Sequence, residues 1–200
     1  MSKPILILEF NNLSALAEKL RNDLVLLDFV VMYAYNGTGK TRMSVEFKNK
    51  GKQGVDDKRD TLYFNAFTED LFNWDNDLAN DTERVLKINS ASNFFNGFRA
   101  LALEEKIFSY LERYADFNFK IDYEYWFISF TKSDANNIKI SRGEETIFKW
   151  CIFMAILELT IDGAEAYDWV KYVFIDDPVS SLDDKNAIAV ATDLCQLLLK

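Results

Sequence analysis

The chain has 200 residues, 49% of them hydrophobic, which is enough for one compact domain with a substantial core. Its net charge of −9 excludes a general nucleic-acid coat protein, because neutralising phosphates needs a basic face. Histidine is absent altogether, which excludes histidine triads, imidazole bases and histidine-ligated zinc.

No apolar run reaches the roughly 18 residues that a membrane span requires. The N-terminus, MSKPILILEF, lacks a small-residue signal cleavage site. Cys151 and Cys195 lie in apolar helical contexts with no metal-ligand spacing. They are expected as buried free thiols of a cytoplasmic protein.

In chain order, the runs ILILEF (5–10) and LVLLDFVVMY (24–33) predict strands. The second should be buried on both faces, because its apolar residues are continuous rather than alternating. Residues 14–21 predict a short helix between them, and TLYFNAF (61–67) predicts another strand. Lys48, Lys50, Lys52, Lys58 and Arg59 form a local basic stretch, read as a solvated loop or as a phosphate-contacting patch. Residues 90–114 predict helix.

From Phe117 to Tyr125 apolar and polar residues alternate, which predicts a half-exposed strand with an antiparallel neighbour. A helix is expected from Gly143 to about Thr160, a strand over 171–175, and a last helix from about 184 to the end. Interleaved strands and helices imply an α/β fold with a mixed sheet flanked by helices. With no Ser/Gly-rich linker, residues 1–200 are expected to form a single domain.

The most informative local order is a buried strand, then the loop Asn36-Gly37-Thr38-Gly39-Lys40-Thr41, then a helix, the context in which a phosphate-binding loop works. Glycines let main-chain N–H groups turn inward as a nest for anionic oxygens, and a following helix adds the positive end of its dipole. In a phosphate-binding loop Lys40 would reach the β- and γ-phosphates and Thr41 would offer its hydroxyl to Mg²⁺. The general pattern is G-x-x-x-x-G-K-[ST], and Ala34 stands at its first position. A plain strand-to-helix turn would also use Asn-Gly.

A second chemical element is KYVFIDDPVSSLDD, 171–184, a short apolar strand ending in Asp176 and Asp177. Carboxylates at the carboxyl end of a buried strand sit where α/β sheets bind ligands. Asp176 would hold the magnesium opposite Thr41, and Asp177 would orient or deprotonate an attacking water. The bland alternative is a polar strand end before a proline turn. Between these elements lies ISRGEE (140–145), where Ser141 with Glu144 three residues later matches a helix capping box.

Together, YAYNGTGKT, ISRGEE and FIDDPVSSLDD occur in the order found in ABC-type ATPases. The chain resembles the chromosome-maintenance and recombination-repair branch of that superfamily, and most of all the ATPase portions of anticodon-nuclease-like and phage-defence proteins. The resemblance implies a P-loop NTPase head with an antiparallel and helical insertion over about 50–135. It implies ATP and Mg²⁺ as cofactors, with Asn36 through Thr41 around the phosphates. Ser141 and Gly143 would read the γ-phosphate held by a partner subunit, and Ser180, Ser181, Leu182 and Asp183 would link the two sites of an ATP-dependent homodimer. Lys40 and Asp177 would be the catalytic residues, in a bacterial defence or nucleic-acid-processing system with an effector nuclease or nucleic acid as partner.

The pattern departs from the family in three places. Asp177 replaces the usual glutamate, Asn65 is the best stand-in for a metal-sensing glutamine, and the switch histidine and its strand are missing. A shortened chain is the expectation, in which nucleotide binding survives more readily than turnover. A nucleotide-sensing module and a non-catalytic remnant are the alternatives. A GTPase reading of TKSD (131–134) fails, because that motif here precedes the magnesium aspartate instead of following it.

Overall fold

The computed structural model describes residues 7–35, 37–52, 59–65, 70–77, 79–80, 84–99, 101, 103–179 and 182–199. The chain divides into two compact units: 1–62 with 169–176, and 63–168 with 177–200.

In the first unit, α1 (Leu13–Asp23) starts at Asn12, whose side chain accepts from the Ala15 N–H at 2.9 Å. It packs against α2 (Lys40–Lys50), burying Ala17 and Leu20 on one helix and Met43 and Phe47 on the other. β1 (Thr61–Asn65) begins in this unit and pairs with β6 (Tyr172–Asp176) in a two-stranded sheet. α2 packs on β6 through Phe47, whose ring lies 5.6 Å from Tyr172 and 5.3 Å from Phe174.

A polar clasp fixes the far end of α2. Arg21 stacks 4.2 Å from the Tyr172 ring, donates to the Phe47 carbonyl at 3.1 Å, and pairs with the buried carboxylate of Asp60. Thr61 donates to Asp60 at 2.9 Å, and the Asp60 carbonyl accepts from the N–H groups of Lys171 and Tyr172. Gly51 closes α2 where a Cβ would fall 1.8 Å from an Asp60 oxygen, so only glycine fits that approach.

The second unit holds a four-stranded antiparallel sheet in the order β2 (Phe72–Asp75), β3 (Val85–Ile88), β5 (Phe127–Thr131), β4 (Asn118–Asp122). Its helices are α3 (Leu103–Leu111), α4 (Arg142–Ile161) and α5 (Asp184–Leu198), with α4 packed against both others. α4 is buried around most of its circumference between Thr146 and Leu159, the pattern of a central core helix. Phe148 meets Phe119 and Phe130 of the sheet at 4.9 and 5.0 Å, and Phe153 meets Phe64 at 4.7 Å. Asp193 of α5, itself buried, accepts from Arg113 and Tyr114 beyond the end of α3.

The α/β class and most elements match expectation, and the antiparallel sheet and α3 occupy the region read as an insertion. The apolar run 24–33 does not match. It is neither strand nor buried: Leu26 is 88% and Val31 84% exposed. A continuous apolar run states that a segment can be buried, but burial also needs a neighbouring strand, and among the described residues β1 and β6 pair only with each other. Residues 7–10 of the first expected strand are likewise exposed and irregular, while 5 and 6 lie outside the described residues.

The helix expected over 90–114 is confined to α3. A single 3-10 turn, Asn93–Phe95, precedes it, and Gly97 takes φ +73° where a Cβ would lie 2.7 Å from Ala166. The alternating segment ends early as well. β4 stops at Asp122, whose carboxylate caps a turn through the Glu124 and Tyr125 N–H groups, both at 2.9 Å. Of the two cysteines, Cys151 is a buried free thiol, whereas Cys195 is exposed.

Candidate functional site

The glycine loop leads directly into α2. Gly37 and Gly39 have φ of +81° and +99°, the left-handed backbone that a nest of inward N–H groups requires. Gly39 is the N-cap of α2 and has no side chain with which to cap the first turn, the kind of helix start that can face an anion. Thr38 closes the turn by donating to the Tyr35 carbonyl through N–H and hydroxyl, at 3.3 and 2.6 Å. Lys40 reaches back to the Ala34 carbonyl at 3.3 Å. Thr41 is exposed on the first turn, and its carbonyl accepts from Ser44. Asn36 lies outside the described residues.

β6 ends at Asp176, a buried carboxylate at 6% exposure, in the same compact unit as the loop. Asp177 follows with φ +52° immediately before Pro178. A residue before proline is driven toward extended backbone, so a left-handed one stores strain, a feature concentrated at functional sites. Ser180 and Ser181 lie outside the described residues. Leu182 donates its N–H to the Val179 carbonyl at 3.2 Å, and Asp183 caps α5 by accepting from the Asn186 N–H at 2.9 Å.

Ser141 and Gly143 open α4 in the second unit. The capping box is formed: Ser141 accepts from the Glu144 N–H at 3.3 Å, and Glu144 accepts from the Ser141 N–H at 2.8 Å. Partial burial works to raise the Glu144 carboxyl, but the hydrogen bonds to Ser141 and the charge of Lys132 at 3.5 Å outweigh it and hold the pKa below its usual value. A Cβ on Gly143 would meet nothing within 4 Å. No steric demand inside the protein therefore calls for glycine there.

Sequence reasoning missed the side chains that surround this turn. Trp74 donates its indole N–H to Glu145 at 2.8 Å, and Glu145 pairs with Lys149 at 2.7 Å. The Trp74–Glu145 bond joins residues 71 apart, which no local pattern reports. The one visible signal was a lysine inside the apolar run IFKWCIF. The basic stretch is partly engaged, with Lys50 paired to Glu18 at 3.1 Å, and Lys58 lies outside the described residues.

The chain is similar to the Escherichia coli protein named Anticodon nuclease, 38% identical over 201 aligned residues covering 84% of this chain and 51% of that protein. The chain spans about half the length of that protein. No family model and no solved structure matches. Among the described residues, no helix is long and apolar enough to cross a membrane.

Proposed function

We propose that the chain is a Mg-ATP-binding head of the ABC type, working as the nucleotide-controlled part of an anticodon-nuclease-like system. The observation that carries this reading is the start of α2: two left-handed glycines, an N-terminus without a side-chain cap, and Lys40 as its first residue. α2 itself packs on the strand that ends in a buried aspartate. The backbone amides of Gly37, Gly39 and Lys40 bind the β- and γ-phosphates, with the Lys40 ammonium as their counter-charge.

Thr41 and Asp176 are the residues that would hold Mg²⁺, which offsets phosphate charge when bound. Asp177 orients the attacking water. Ser141 and Gly143 of a second copy complete the donors around the γ-phosphate, so that ATP joins two heads and hydrolysis releases them.

A nucleotide-sensing module that hydrolyses slowly is the second reading. It is favoured by Asp177, a methylene shorter than the glutamate usual in such heads.

Titration of the purified protein with Mg-ATP, followed by phosphate release, tests both. Lys40→Ala is expected to weaken binding by about 30-fold or more, the loss of a charge-assisted contact worth at least about 2 kcal/mol. Binding that is unaffected by Lys40→Ala overturns the site. Binding without phosphate release favours the sensor.

A further inference from the structure

Lys149 stands in the most buried stretch of α4, at 7% side-chain exposure, where an apolar residue would pack without the cost of desolvating an ammonium. Its partner Glu145 is 19% exposed and uses both oxygens, Oε1 for Lys149 at 2.7 Å and Oε2 for the Trp74 indole N–H at 2.8 Å. Trp74 is held in turn, with Lys139 5.3 Å from its ring and Phe130 at 5.7 Å. Lys139 is anchored on Asn76 at 2.9 Å, and Lys149 also lies 5.6 Å from the Phe72 ring.

A glutamate in the first turn of a helix is favoured by the dipole alone and needs neither a tryptophan nor a buried lysine. What these partners add is a fixed rotamer for Glu145 and a tie from the first turn of α4 to β2. The adjacent Glu144 is fixed separately, by Ser141 and Lys132. Two neighbouring carboxylates are thus locked by different partners, while Gly143 between Ser141 and Glu144 keeps a bare backbone.

We propose that Trp74, Glu145 and Lys149 form a positioning network that holds Ser141 and Gly143 at the angle needed to meet the nucleotide carried by a second copy. This rests on the reading of Ser141 and Gly143 given above. None of the three touches substrate. Their effect is on alignment, and misplacement of about 1 Å costs roughly 100-fold in rate where donors must meet a developing charge.

Trp74→Phe tests the network, because it keeps an aromatic ring and removes only the N–H donor. The full chain is examined for Mg-ATP binding, steady-state phosphate release, melting temperature, and amide exchange along α4. The expected result is a kcat lowered by about tenfold or more with KM within about threefold. Faster exchange should be confined to residues 143–146, and the melting temperature should move by no more than about 4 °C. Wild-type kcat in the variant, or a uniform rise in exchange along the whole of α4, overturns the proposal. If the unaltered protein binds no Mg-ATP, the functional reading fails, and the exchange pattern decides the network by itself. A rise confined to the first turn sustains Trp74 as its positioner, and unchanged exchange sinks it.

Discussion

α2 and α4 both begin with a short glycine-containing motif, yet they are secured at opposite ends. α2 is clamped where it finishes, by Arg21 on the Phe47 carbonyl and by Asp60 against Gly51, and its start is capped by a glycine with no side chain to offer. α4 is clamped where it starts, by the Ser141–Glu144 box and the Trp74–Glu145–Lys149 network. A helix whose first amides have no protein side-chain cap is suited to take up a ligand's charge. A helix whose first turn is held by side chains is suited to present a surface of fixed shape. Two motifs of similar sequence thus begin their helices in physically different ways.

Four substitutions break or sharpen this contrast. The largest effect is expected for Arg21→Ala, which strands the buried Asp60 carboxylate and should cost about 3–5 kcal/mol in denaturant unfolding. A loss below 1 kcal/mol would show that α2 is not secured through its far end. Gly39→Ala comes next, because an L-residue at φ +99° is strained by roughly 1–2 kcal/mol. Calorimetry should record that loss together with weakened Mg-ATP binding.

Ser141→Ala removes the cap of α4 and should cost about 0.5–2 kcal/mol. Its penalty should depend on pH with a definite sign. Glu144 has a folded-state pKa below its usual value, so its contribution is complete above the ordinary carboxylate pKa and lost as pH falls through the lowered one. The gap between wild type and Ser141→Ala should therefore narrow in acid, and a gap that widens there would argue against the box.

Gly143→Ala is the smallest effect and has the opposite sign. The new methyl meets nothing within 4 Å, so α4 should gain about 0.4–1 kcal/mol through a less flexible unfolded chain. A higher melting temperature combined with slower phosphate release would separate a glycine kept for an approaching partner from one kept for folding. A gain in stability with unchanged turnover would remove Gly143 from the site.

Several elements were legible because their information is local. The apolar strand before Asp176, the capping box before α4 and the helix starting near Asp184 each carry their own start or stop signal, and each appears within a residue or two of the expected position. The segment from Leu24 to Tyr33 was misread, because hydrophobicity reports what a segment could bury and not whether a neighbouring strand is there to receive it. The Trp74 network was invisible for a related reason. Its donor and acceptor stand far apart in sequence, and a tryptophan beside an asparagine in FNWD says nothing about a glutamate on another element.

By itself, the amino-acid order determined the places where the backbone could turn, cap and accept charge: Gly37 and Gly39 for a left-handed loop, Ser141 for a helix start, Asp176 at the end of an apolar strand. Only the tertiary structure decided which helix end is held and which is left open, because clamping depends on side chains brought together from distant parts of the chain. Arg21 finds Asp60, and Glu145 finds Trp74, through packing that no sequence window contains.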